Sequence, residues 1–108
     1  MELYGIKACD TCRAALKALA AAGHEVRFVD VREAPLSRAE LEAFEAAFGA
    51  ALLNTRSTTW RGLSDAERAG EPVALMLAHP TLMKRPVIRA GDGTLHLGWS
   101  KAVQAALS

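Results

Sequence analysis

An α/β fold is predicted for this chain on three observations. A strand–helix–strand unit fills roughly its first 30 residues, a hairpin and a helix close it, and the stretch between carries only helical signals. The length of 108 residues suits one compact domain. With 51% of residues hydrophobic, a core can form without disulfide staples.

Leu3-Tyr4-Gly5-Ile6 reads as a short strand. Cys9 to Ala22 reads as a helix: it is rich in alanine, Leu16 and Leu19 fall on adjoining turns, Asp10 and Thr11 are residue types favoured where a helix begins, and Gly23 is a C-terminal stop. Val26 to Asp30 reads as a second strand, and a unit of this kind favours a parallel pair with a right-handed crossover. Ser37 to Phe48 is a marked helix, with Ser37 and Glu40 in capping-box spacing, Leu41, Phe44 and Phe48 on one face, and Gly49 after it. Ser64 and Glu67 repeat the capping pattern for a shorter helix stopped by Gly70. Pro72 opens another, striped by Val73, Met76 and Leu77 and interrupted by His79-Pro80. Pro86 to Arg89 and Thr94 to Leu97 are strands joined by Ala90-Gly91-Asp92-Gly93, and Ser100 caps a final helix through Leu107. This order predicts a thioredoxin-like core over about residues 1–34 and 80–108, with a helical insertion over about 35–79.

A formal net charge of +1 argues against a general binder of nucleic acid or membrane surfaces, which carries a basic excess. The first residues are too polar for a signal peptide, and no apolar run approaches the roughly 20 residues that span a bilayer. A cytoplasmic, monomeric protein with neither nucleic-acid nor membrane partners is expected.

The chemistry centres on Cys9-Asp10-Thr11-Cys12, which follows a predicted strand and opens a predicted helix. The thiolate is the reactive form of cysteine, and the unpaired N–H groups and dipole at a helix start favour negative charge. Cys9 is therefore expected to ionise easily, with Lys7 and Arg13 as candidates to help. Cys12, one turn on, is placed to resolve a mixed disulfide formed at Cys9. Two buried packing cysteines are the plain alternative. A zinc site would need two more ligands, and His24, His79 and His96 show no paired spacing, so no metal is expected. Trp60 and Trp99 read as partly buried packing residues, and His79 as a structural loop histidine.

Three stretches carry a family resemblance: Tyr4 to Cys12, Leu52 to Arg61 (LLNTRSTTWR), and His79 to Ile88, followed by Leu97-Gly98-Trp99-Ser100. On these the chain resembles the arsenate reductase (ArsC-like) family, and within it the YffB branch, over essentially its full length. The resemblance implies Cys9 as nucleophile, Arg56 and Arg85 flanking the thiol as anion-binding residues, and a cis Arg85–Pro86 peptide. The candidate site is thus Cys9 and Cys12 for catalysis, with Thr11, Arg13, Arg56, Arg85 and Pro86 for substrate or anion binding. Guanidinium forks suit oxyanions and carboxylates and hold a nearby thiolate.

Two departures from the arsenate-reducing members stand out. Those enzymes typically have a non-cysteine residue at the position of Cys12, and a third arginine where alignment puts Gly98. The expected function is accordingly a thiol-disulfide oxidoreductase, with glutathione as reductant and no bound cofactor. Arsenate reduction coupled to glutathione and glutaredoxin is the second reading. The third is a redox-sensing transcription regulator binding RNA polymerase, as in the related Spx branch, which also carries an N-terminal C-x-x-C pair.

Overall fold

The computed structural model describes residues 1–107 and divides into two compact units. One consists of Met1–Val31 with the chain from Arg85 onward, and the other of Arg32–Lys84. The first holds a four-stranded sheet in the order β2-β1-β3-β4, built from β1 (Glu2–Gly5), β2 (Arg27–Asp30), β3 (Val87–Arg89) and β4 (Leu95–Leu97). β1 runs parallel to β2 and antiparallel to β3, and β3 is antiparallel to β4. With its helices, this is the mixed sheet of a thioredoxin-like α/β core.

β1 begins one residue before the predicted strand because Glu2 has partners on both sides, Arg27 and Arg89. It ends at Gly5, because the backbone then turns: the Lys7 N–H leaves the ladder and donates to the Asp30 carboxylate at 2.9 Å. Leu3, opposite Ile88, faces a core completed by Ala15 and Leu19 of α1 (Asp10–Ala21) and Leu107 of α6 (Lys101–Leu107).

Helix α1 ends in a Schellman arrangement. Gly23 has φ 94°, its N–H donates to the Ala20 carbonyl, and the His24 N–H reaches back to Leu19. His24 also donates from Nε2 to the Leu107 carbonyl at 2.7 Å, tying this corner to the end of α6. The β3–β4 turn closes with Ala90 N–H to the Thr94 carbonyl, and Gly93 at φ 88° supplies the left-handed residue.

In the second unit, α2 (Arg38–Phe48) opens with the complete Ser37–Glu40 capping box and stops at Gly49, φ 60°. Elements the sequence did not suggest follow: a 3₁₀ turn at Gly49–Leu52 and the single-turn helix α3 (Thr58–Arg61). Ser57 caps α3 by accepting from the Trp60 N–H at 3.1 Å, but without an acidic residue at the third helical position the capping-box signature is missing. α4 (Asp65–Arg68) has its full capping box, and α5 (Pro72–Ala78) starts on Pro72 and packs on α2. A second 3₁₀ turn, Pro80–Leu82, leads to a one-residue antiparallel bridge between Leu53 and Met83. Phe44, Leu52 and Leu82 are fully buried in this unit.

Among the described residues no helix is long and apolar enough to cross a membrane.

Candidate active site

The first unit brings together Cys9, Cys12, Arg85 and Pro86. Cys9 is the N-cap of α1 rather than its first helical residue, with extended backbone (φ −82°, ψ 119°). A thiol is a weaker capping acceptor than the side chain of Ser or Asp. The cap position is instead fixed through the backbone. The Cys9 N–H donates to the Ile6 carbonyl at 3.0 Å, and the Cys9 carbonyl accepts from Arg13 at 3.0 Å. The Ile6–Cys9 turn is in turn anchored by Asp30, a carboxylate only 5% exposed, which receives the Lys7 N–H.

The two cysteines are free thiols in contrasting surroundings. Cys9 is half-buried, whereas Cys12 is fully buried in the core with Leu3, Ala15 and Ile88. Partial burial pushes the Cys9 thiol up. The Cys12 backbone N–H, the Cys12 thiol and the Arg85 guanidinium, by hydrogen bonding and by charge, outweigh it, so Cys9 ionises below its ordinary value. Burial pushes the Cys12 thiol up to about 11, and the neighbouring Cys9 adds to this against the Ile6 backbone and the Arg85 charge. The pair therefore divides its labour. Cys9 is the thiol that ionises first, and Cys12 holds its proton more tightly and donates it toward the Cys9 sulfur.

Arg85 is half-buried, its Nε fully so, and precedes a cis peptide to the buried Pro86. The Pro86 carbonyl accepts from the Gly98 N–H at 2.8 Å. Thr11 is exposed on the first turn of α1. Arg13 is also exposed, and its guanidinium pairs with the Asp10 carboxylate one turn back. The Lys7 backbone serves the Asp30 contact. Trp99 packs against the core cluster, while in the second unit Trp60 is half-buried beneath the Arg68 guanidinium, 5.7 Å from its ring centre. His79 is the C-cap of α5, its N–H on the Leu75 carbonyl.

Arg56 lies in the second unit and is exposed. Its backbone N–H donates to Asn54 Oδ1 at 3.1 Å. Asn54 N–H to Leu82 at 2.8 Å and Lys84 N–H to Leu52 at 2.7 Å align the two strand-like segments around the Leu53–Met83 bridge. Beside them opens a cavity of about 500 Å³ lined by Leu53, Asn54, Thr55, Arg56 and Lys84, with two cationic side chains on its wall. Among the described residues no three His, Cys, Asp or Glu side chains converge as metal ligands.

Asp30 and Gly5 were not singled out from the sequence. Asp30 ends β2 with no motif around it. Gly5 carried a readable signal, since a glycine inside a strand often marks the close approach of another group.

The sequence model of the ArsC family matches residues 4–107. An uncharacterized protein of Haemophilus influenzae is 38% identical, over 100% of this chain and 99% of its own. An arsenate reductase of Rhizobium meliloti is 38% identical, over 87% of this chain and 71% of its own. Among solved structures, a YffB protein superposes with a TM-score of 0.88 at 34% identity, covering 98% of this chain and 96% of that one.

Proposed function

The chain belongs to the ArsC family of thiol-based reductases, and from that premise we propose that it is a thiol-disulfide oxidoreductase working through Cys9 and drawing electrons from glutathione. The observation that carries this reading is the Cys9 sulfur at the head of α1, facing the Arg85 guanidinium and the Cys12 thiol.

In the proposed cycle the Cys9 thiolate attacks one sulfur of a disulfide substrate. A Cys9–substrate S–S bond forms, the substrate S–S bond breaks, and the departing thiolate takes a proton from solvent. A glutathione thiolate then attacks the substrate sulfur of the mixed disulfide, and Cys9 leaves as thiolate. This forms a glutathione–substrate S–S bond, which is oxidised glutathione when the group on Cys9 is glutathione itself. Alternatively Cys12 gives up its proton and attacks the Cys9 sulfur, expelling the substrate thiolate and leaving an internal Cys9–Cys12 disulfide that two glutathione molecules reduce, forming oxidised glutathione. Burial, with the neighbouring Cys9 adding to it, holds the Cys12 thiol protonated up to about 11, so Cys12 attacks only after that proton is lost. Within the second unit, the cavity with Arg56 and Lys84 on its wall has the charge to hold carboxylates such as those of glutathione.

Reduction of arsenate is a second reading, favoured by the Rhizobium meliloti relative named as an arsenate reductase. Against it stands Gly98, where the resemblance puts a third arginine. Gly98 has φ 80°, a conformation in which any L side chain is strained.

The test is turnover of a glutathionylated peptide with reduced glutathione, followed as oxidised glutathione formed. Activity that Cys9→Ser abolishes is expected. Turnover with arsenate alone would replace the first reading by the second, and no turnover with either would remove both.

A further inference from the structure

We propose that Gly5 is a positioning residue for the thiol pair, its missing side chain leaving a notch in β1 that seats the Cys12 sulfur against Cys9. This deepens the proposed function and rests on Cys9 as the working nucleophile.

A Cβ placed on Gly5 would lie 2.5 Å from Cys12 Sγ, 3.2 Å from Cys12 Cβ and 3.3 Å from Leu3 Cδ2. Sulfur and carbon do not approach to 2.5 Å without a bond, so Cys12 Sγ occupies the space that a side chain at position 5 would take. Gly5 does not have a positive φ, so its backbone does not itself require glycine. The strand also cannot retreat easily. Gly5 pairs in register with Asp30, and its carbonyl accepts from the Val31 N–H at 2.9 Å. The next carbonyl, that of Ile6, holds the Cys9 N–H.

With the strand pinned, a methyl group at position 5 acts on Cys12. The sulfur has one torsion with which to escape, and helical backbone disfavours one of the three rotamers. Rotation carries it away from the notch into a core where Cys12 has no exposed surface. The thiol then no longer donates to the Cys9 sulfur, and Cys9 loses a partner that stabilises its anion. The identity of residue 5 is thus coupled to nucleophile reactivity through Cys12, although Gly5 touches no substrate.

The test is the pH dependence of Cys9 alkylation by iodoacetamide, read by mass spectrometry on the Cys9 peptide, for wild type, Gly5→Ala, Cys12→Ala and the double variant. Cys12→Ala removes the sulfur and leaves the milder contacts with Cys12 Cβ at 3.2 Å and Leu3 Cδ2 at 3.3 Å. Gly5→Ala and Cys12→Ala are each expected to raise the midpoint by roughly half to one pH unit, the scale of one hydrogen bond's net contribution. The double variant is expected to match Cys12→Ala. A Gly5→Ala that folds only when Cys12 is also Ala supports the notch equally. The proposal is overturned if Gly5→Ala keeps the wild-type midpoint, if it shifts the midpoint as much without the Cys12 sulfur as with it, or if the double variant also fails to fold. Because alkylation needs no substrate, wild type that turns over no disulfide would refute the proposed function and leave this comparison standing.

Discussion

Cys9 shows how much one residue's chemistry depends on which of its neighbours reach it. Four charged or polar residues lie near it in sequence, yet the groups that lower its pKa are Cys12 and the distant Arg85. Arg13, one turn along α1, is paired with Asp10 at the surface. Arg85→Ala is therefore expected to raise the Cys9 midpoint by about one unit and slow alkylation near neutral pH by about tenfold. Arg13→Ala is expected to change it by less than about twofold, because an exposed, screened ion pair contributes little. A larger effect of Arg13 than of Arg85 in the same alkylation assay would reverse this assignment. The position of Cys9 at a helix start was legible from Cys9-Asp10-Thr11-Cys12 after a strand. That Asp10 occupies Arg13 was not, since i and i+3 partners compete with every other acceptor within reach of a long side chain.

At the scale of elements, the sequence spoke clearly where a local code exists. Ser37 with Glu40 and Ser64 with Glu67 predicted two helix starts, and both capping boxes are present. The Gly-Asp-Gly turn predicted the hairpin, and Gly93 takes its positive φ. α3 was missed because its cap, Ser57, stands without an acidic partner and its four residues are too few to show a helical period. It is held by tertiary contacts. Arg68 donates from Nε to the Trp60 carbonyl at 3.1 Å and covers the Trp60 ring, and Thr59 shares a hydrogen bond with Thr81 at 2.7 Å. Ser57 also donates from Oγ to the Asn54 carbonyl at 2.9 Å, so it braces the loop that carries Arg56. Ser57→Ala is expected to cost about 1 kcal/mol, read as a lowered denaturant midpoint. A change below about 0.3 kcal/mol would show that the other contacts hold α3 by themselves.

Across the whole molecule, the order of elements was readable because each unit has a separate sequence grammar. Strand alternation and turns mark the first unit, and capped amphipathic helices the second. The boundaries lie at Val31/Arg32 and Lys84/Arg85, against expected breaks near residues 34 and 80. The second break falls later because the Leu53–Met83 bridge keeps residues 80–84 with the helical unit, a long-range pairing that no local pattern announces. Burial of Cys12 links the site to the stability of the chain. Its folded value of about 11 lies above the ordinary value of 9.0, so between these the unfolded chain binds fewer protons and stability falls as pH rises. Below pH 9 that contribution is complete. Cys12→Ala is expected to flatten the decline of the denaturant midpoint above pH 9 relative to wild type; parallel declines in the two proteins would contradict the burial of an intact thiol.

All the chemistry proposed above requires Cys9 to be an anion at a pH where an ordinary cysteine is not. The direct measurement is the ultraviolet absorbance of its thiolate as a function of pH, taken as the difference between wild type and Cys9→Ser. A transition below the ordinary cysteine value, removed by Cys9→Ser and moved upward by Arg85→Ala, is the predicted result. A Cys9 transition at or above that value, indifferent to Arg85, would contradict it.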